Sequence, residues 1–322
     1  MVTLTVLPLR VTFRAQRDFY LTNPNTALRG AFGLALRHSL CQPACRGSRE
    51  CPLGPGQCFS ARFFDAVLTP EEAENAPSGF RQDPPRPFVL RPGIPPGQTM
   101  RGAEWSLDLF CFDLPRLSMP SLLKALEHLG DDGLGGLRAP SAVRSVEGLN
   151  ENFQPRAAIH PIVLPLPVPA SSPIETLAVT FLSATEIVSQ GQIARQPDFP
   201  LFIHSLGNRL QALTRFYGQG YWPTGELSAF RSHTDTAQTR VLRSARVQNA
   251  RTSTRSGQRH QLTGFTGQVE YLASWRSYSA WLEAGLWTGV GKHTQFGHGT
   301  YRLSASIWDS TSFAPSYTTL NT

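Results

Sequence analysis

The chain has 322 residues, a length that suits about two domains, and 40% of them are hydrophobic, enough for ordinary packed cores. Its net charge is +7, and arginine supplies 28 of the 30 basic side chains, with lysine only at Lys124 and Lys292. Arginine's planar fork binds phosphate and stacks on bases, so this balance favours a nucleic-acid partner. A GC-rich genome would explain arginine over lysine, but not the excess of cations over acids. No apolar run reaches the roughly 18 residues of a membrane span. The opening "MVTLTVLPLRVTF" has neither the basic region nor the long apolar core of a signal peptide. No membrane partner is expected, and the expected location is cytoplasmic.

Taken in chain order, Val2, Leu4 and Val6 alternate and predict a strand over residues 2–14. A helix is predicted over 26–40, "TALRGAFGLALRHSL". Arg29 and Arg37 lie two turns apart on nearly the same face, with Gly33 between them as a small residue that would admit a phosphate backbone. His38 ends this helix, and an ordinary imidazole pKa suits proton transfer near neutral pH. It also reads as an imidazolium facing the helix dipole, or as a support for the cysteines that follow. Tyr20, just upstream, is a further candidate for positioning.

Cys41, Cys45, Cys51 and Cys58 follow with the spacing C-x3-C-x5-C-x6-C. Such clustering in a cytosolic protein favours a metal over disulfides. The loop is rich in glycine and proline and has little core of its own, so a metal would supply its fold. Four thiolates suit a closed, structural zinc site with no position open for catalysis. An iron–sulfur cluster is the second reading and a set of inert reduced thiols the third. A strand-like stretch over 104–114, "EWSLDLFCFDL", alternates so that Cys111 is expected to be buried. A helical pattern at Leu122, Leu126 and Leu129 then runs into the turn "LGDDGLGG" and a strand, with His128 near the helix end.

The proline-rich "IHPIVLPLPVPASSPIE", residues 159–175, reads as an extended linker or an edge strand. A strand over 177–188 and a helix over 199–217 follow, with Asp198 as the cap and Pro200 in the first turn. Phe202, Ile203, Leu206, Leu210 and Leu213 form its apolar stripe, and His204 beside them is expected to be structural. Strand-like segments over 239–272, a helix, the loop "GVGKHTQFGHGTYRL" and a short strand complete the half. Each half reads strand, helix, strand, strand, helix, strand, and both end in helix, glycine loop, strand, as a duplication would leave them. The expected fold is α+β, two tandem ferredoxin-like (RRM-like) domains with a cysteine-rich metal-binding insertion in the first. The expected divisions are 1–155 with the loop 41–58, a linker 156–175, a second domain 176–308 and a fraying tail 309–322.

The glycine loop admits three readings. A nucleotide phosphate loop, G-x-x-x-x-G-K-[ST], needs glycine where Leu286 stands and a hydroxyl residue where His293 stands, and it needs a helix to follow. His293 and His298 are a weak metal signal, with no cysteine or carboxylate near them in sequence. In the third reading, Gly289, Gly291, Gly297 and Gly299 let the backbone approach a phosphate or another backbone segment, and Lys292 adds charge. Contact with RNA and simple helix-to-strand packing both remain open. Arg231, Arg240, Arg243, Arg246, Arg251, Arg255 and Arg259 are opposed only by Asp235, and on a strand pair they would track phosphates or form a solvated face. His260 lies in the same segment.

Together, "LRGAFGLALRHSLC", "CPLGPGQCFSARFFD", "PRPFVLRP", "LGDDGLGG", "PDFPLFIHSLGNRLQALTRFYGQG", "LTGFTGQVEY" and "GVGKHTQFGHGTY" resemble the CRISPR repeat-processing endoribonucleases of the RAMP superfamily. The resemblance covers most of the chain in the right order, and the C-terminal glycine-rich loop is its most specific block. It implies binding of CRISPR repeat RNA and metal-independent cleavage that leaves a 2′,3′-cyclic phosphate. It also implies that the mature RNA stays bound, alongside other subunits of a class 1 effector complex. Such chemistry needs a base for the 2′-hydroxyl, an acid for the 5′-oxygen and cations for the phosphorane. Members often carry a catalytic histidine near the first helix, which points to His38, with Arg29 and Arg37 at the scissile phosphate. Arg243, Arg246, Arg251, Arg255, Arg259, Lys292, His293, Gly291, Gly297 and Gly299 are the expected RNA contacts. A non-catalytic RNA-binding RAMP subunit is the alternative, and an unrelated zinc-stabilised nucleic-acid protein a third.

Overall fold

The computed structural model describes residues 1–41, 45, 51, 53–76, 80–81, 83–170, 172–189, 191–194, 196–220, 222, 234, 237–252 and 259–305. At residues 55, 249–252, 259–261 and 305 it describes the backbone alone. Arg231, Asp235, Arg255 and the tail 309–322 lie outside the described residues. The chain forms two compact units: Thr5–Glu151 with Pro155–Ile162, and Met1–Leu4 with Asn152–Gln154 and Val163–Thr322.

The first unit runs β1 (Val2–Ala15), α1 (Pro24–Leu40), β2 (Phe88–Gly93), β3 (Glu104–Cys111), α2 (Met119–Asp132) and β4 (Ser141–Leu149). Its strands pair antiparallel in the order β2-β3-β1-β4. The second runs β5 (Glu175–Thr185), α3 (Phe199–Tyr217), β6 (Gln238–Thr252), β7 (Arg259–Ala273), α4 (Ser279–Thr288) and β8 (Tyr301–Ala305). Its order, β6-β7-β5-β8, is the same order again. The fold is therefore mixed α and β, built twice on one connectivity. Among the described residues no helix is long and apolar enough to cross a membrane.

Local chemistry explains most of these elements. Asn23 caps α1 by accepting the Thr26 N–H at 3.2 Å, with Pro24 in the first turn, and Leu28, Phe32, Ala35 and Leu36 then recur on one buried face. Asp198 caps α3 by accepting the Leu201 N–H at 2.8 Å, and all five predicted stripe residues are buried. β2 is missed by the sequence reading because its residues Phe88 to Arg91 are buried one after another, so no alternation marks them. Ile162–Leu166, within the proline-rich segment, is a strand. In the first core Phe13 stacks on Trp105 at 4.2 Å, and Phe32, Phe63, Phe64 and Phe88 pack as one aromatic group. On the sheet, Asp108 lies directly opposite both Arg10 and Arg91, and Arg10 grips its carboxylate in a two-point bond of 2.6 and 2.8 Å.

The repeated ending is structural as well as sequential. Helix α2 stops at Gly133 (φ 74, ψ 171) and helix α4 at Gly289 (φ 68, ψ 176), nearly the same conformation. A Cβ at Gly130 would lie 2.3 Å from the carbonyl of Ser141, the first residue of β4. A Cβ at Gly285 would lie 1.9 Å from the hydroxyl of Tyr301, the first residue of β8. In both units a helical glycine lets the last helix lie flush against the start of the last strand.

Candidate functional site

The end of α1 carries the first group of expected site residues. Arg29 lays its guanidinium over the Phe64 ring, 4.3 Å from the centroid. That ring comes from the tight turn Ser60–Phe64, and it fills the space beside Gly33, where a Cβ would lie 2.3 Å from Phe64 Cζ. Gly33 thus makes room for an aromatic side chain and not, as the sequence suggests, for a phosphate. Arg37 is half-buried, and its charge acts on the Cys41 thiol. His38 is exposed and its Nδ1 lies 2.9 Å from Asp132 Oδ2 at the end of α2. The side chains are 46% and 21% exposed, so the carboxylate is the inner partner. Nothing local in the sequence marks Asp132, since its partner stands 94 positions away. Tyr20, on the short strand Phe19–Leu21, is 64% exposed.

All four clustered cysteines are free thiols, and they are neighbours. Their thiols influence one another's protonation: Cys45 and Cys58 act on Cys41, and Cys58 and Cys45 act on Cys51. Burial first, and then the Cys45 thiol, push the Cys41 thiol up to about 11. Burial also acts to raise Cys51, but the N–H groups of Leu53 and Gly54 and the Cys58 and Cys45 thiols outweigh it and hold the thiol low. Cys58 is raised, chiefly by burial, against the Ala61 N–H, which donates to its Sγ at 3.4 Å. Among the described residues no three His, Cys, Asp or Glu side chains stand in a ready-made metal-binding group. Cys111 lies in the core, and burial holds its thiol far above the ordinary range.

The C-terminal loop brings together residues that sequence separates. Gly291 and Gly299 have φ values of 75° and 70°. A Cβ there would lie 2.2 Å from the Glu186 carbonyl oxygen and 1.9 Å from that of Val290, so no side chain fits. Gly297 also sits in the left-handed region, closing a 3₁₀ turn over Thr294–Phe296. Strand β8 follows, not the helix a nucleotide phosphate loop requires. The Lys292 N–H donates to the Glu186 carbonyl at 2.8 Å. Lys292 Nζ and His293 Nε2 stand 3.9 and 3.5 Å from the two carboxylate oxygens of Glu186. Glu186, buried to 6% exposure just after β5, is the carboxylate that sequence proximity hides. His298 is 2% exposed and its Nδ1 has no hydrogen-bond partner among the described residues. Burial, with His293 nearby, lowers its pKa to about 4.

Strand β6 carries Arg240, Arg243 and Arg246, all exposed. Arg240 lies opposite Glu270 on β7 with a 3.6 Å contact. The backbone register sets Arg251 opposite His260 and Thr252 opposite Arg259. Pairing of β7 with β5 starts at Phe265, so these far ends form a two-stranded ribbon. His204 meets the Thr234 hydroxyl at 3.2 Å, a structural setting.

A family model described as CRISPR-associated endoribonuclease Cas6 matches residues 179–301. A second, described as an N-terminal domain, matches residues 4–165. Thermus thermophilus Cas6 is a structural neighbour with TM-score 0.55 and 15% identity, over 94% of this chain and 99% of that one. A Cas6 product complex aligns with TM-score 0.53 and 16% identity, over 92% and 99%. A partial Cas6-RT-Cas1–Cas2 complex aligns with TM-score 0.55 and 11% identity, over 96% of this chain and 47% of the other. At these identities the likeness is one of fold. No curated protein matches the chain.

Proposed function

The chain belongs to the CRISPR-associated endoribonuclease Cas6 family, and on that premise we propose that it cuts CRISPR precursor RNA within each repeat and retains the product. In the proposed step the 2′-oxygen forms a bond to the adjacent phosphorus and the bond from phosphorus to the 5′-oxygen breaks. The 2′-hydroxyl proton passes to a base, the 5′-oxygen gains one from an acid, and a 2′,3′-cyclic phosphate remains. Atoms and charge balance without water or a metal ion. The observation that carries the reading is His38, a half-exposed imidazole held by one ring nitrogen at the end of α1. It serves as base or acid. Arg37 and Arg29 bind the scissile phosphate.

RNA would be gripped by Arg243, Arg246, Arg251 and Arg259 of β6 and β7, by Arg255, and by the loop with Lys292, His293, Gly291, Gly297 and Gly299. A basic ribbon suits the backbone of a folded repeat, read by shape. The two identical sheet orders support tandem ferredoxin-like domains, about 1–155 and 176–308. The product complex among the fold's neighbours supports retention of the cut RNA, and the assembled neighbour supports CRISPR partners, here the other subunits of a class 1 effector complex.

Cys41, Cys45, Cys51 and Cys58 would hold a structural zinc ion, with an iron–sulfur cluster as the alternative. The donor types fit, four soft sulfurs of which two accept backbone N–H bonds of the kind that support thiolates, and binding the ion would draw them into one tetrahedral group. Elemental analysis of purified protein, with Cys41→Ser as the control, tests it.

The deciding experiment incubates the protein with its own repeat RNA in excess chelator and maps the ends. One cut with a cyclic phosphate supports the enzyme. Tight binding without a cut supports the non-catalytic RAMP subunit instead. Full activity in His38→Ala would remove His38 from the chemistry.

A further inference from the structure

We propose that Asp132 is a positioning residue for His38: it holds the imidazole as the tautomer protonated on Nδ1, so that Nε2 is the nitrogen that meets RNA. This rests on the reading of His38 as the acid or base.

Several independent features converge on the pair. The contact joins two separate helices at 2.9 Å, with Nδ1 facing a carboxylate oxygen. A carboxylate accepts but does not donate, so it selects the form carrying hydrogen on Nδ1. The remaining nitrogen, Nε2, then holds a lone pair in the neutral ring and a proton in the charged ring. It takes a proton in one role and gives it in the other, with Nδ1–H bonded to Asp132 throughout. Asp132 is the more buried member and His38 the more exposed, the order expected when one group orients and the other reacts.

Helix physics alone would not place an acid there. A carboxylate at a helix C-terminus meets the negative end of the dipole, and α2 has no basic residue in its last turn to offset it. The His38 ring provides that partner. Both backbones are fixed. Gly133 closes α2 with its N–H on the Leu129 carbonyl at 3.2 Å, and a Cβ at Gly133 would lie 2.4 Å from the Arg138 carbonyl oxygen. On α1, Ser39 donates to the Ala35 carbonyl at 2.8 Å, and the Cys41 N–H donates to that of Arg37 at 2.9 Å. The two side chains are therefore presented by ends that have little room to shift.

The test measures single-turnover cleavage of a synthetic RNA of the host's CRISPR repeat, together with 15N spectra of the His38 ring. His38→Ala should lose about 10³-fold in rate. Asp132→Asn should lose about 10²-fold with RNA affinity held within about twofold, and the ring should shift to mixed tautomers. Asp132→Glu, which keeps the carboxylate, should recover part of the rate. If His38→Ala is dead while Asp132→Asn cuts at the wild-type rate with an unchanged ring, the inference is wrong and His38 stands. A wild-type rate in His38→Ala removes both. If both Asp132 variants lose rate only in proportion to lost RNA affinity or lost thermal stability, the role is structural and the inference also fails.

Discussion

Acidification below pH 6.5 should destabilise the C-terminal unit through one residue, His298. Its pKa is about 4 in the folded chain, against an ordinary 6.5, because burial disfavours the charged ring and His293 stands nearby. The unfolded chain takes up a proton at His298 as pH falls through 6.5, and the folded chain resists until about 4. The His298 contribution is thus whole above pH 6.5 and is lost on the way down to about 4. Each pH unit in that window costs about 1.4 kcal/mol, so by pH 5 the loss is roughly 2 kcal/mol and in full roughly 3. That is a large share of the roughly 5–15 kcal/mol that holds a typical domain. Glu186, Lys292 and His293 line the same loop, and carboxylates elsewhere also titrate, so the wild-type curve alone does not isolate the effect. His298→Phe does. The Nδ1 atom makes no hydrogen bond among the described residues, and Phe296 already packs beside the ring, so an apolar ring should be tolerated near pH 7.5. Urea unfolding followed by the fluorescence of the buried Trp281 and Trp287 at pH 7.5, 6 and 5 should show the wild type falling relative to the variant by roughly 2 kcal/mol. Parallel curves for the two proteins would refute the reasoning.

Three further outcomes follow from the same contacts. Gly299→Ala should destabilise by several kcal/mol on the order of, since it forces a Cβ to 1.9 Å from the Val290 carbonyl at a φ of 70°; thermal melting reads this. Asp108→Ala should cost about 3–5 kcal/mol by urea unfolding, because it leaves the half-buried Arg10 and the buried Arg91 beside an empty position. Arg243→Ala and Arg246→Ala should each weaken repeat-RNA binding and lower the slope of log affinity against log salt by about one, measured by filter binding at several salt concentrations; an unchanged slope would place those arginines off the RNA.

Sequence alone determined what depends on residues within a turn or two of each other. The caps at Asp198, the apolar stripe of α3, the alternation of β1 and the glycine-terminated helices that recur in both halves were all legible, because dihedral preference, capping and periodicity are local. The cysteine cluster was visible as spacing. Tertiary structure decided the rest. Phe64 takes the space beside Gly33 that sequence left for a phosphate, since which ring reaches a helical glycine depends on a turn two dozen or more positions away. Strand β2 showed no period because both its faces are covered. Asp132 and Glu186 had no signature at all: an isolated acid looks like any solvated one until packing sets it against His38, or against Lys292 and His293. Electrostatic partnership depends on distance in space, and only the packed sheets and helices fix that distance.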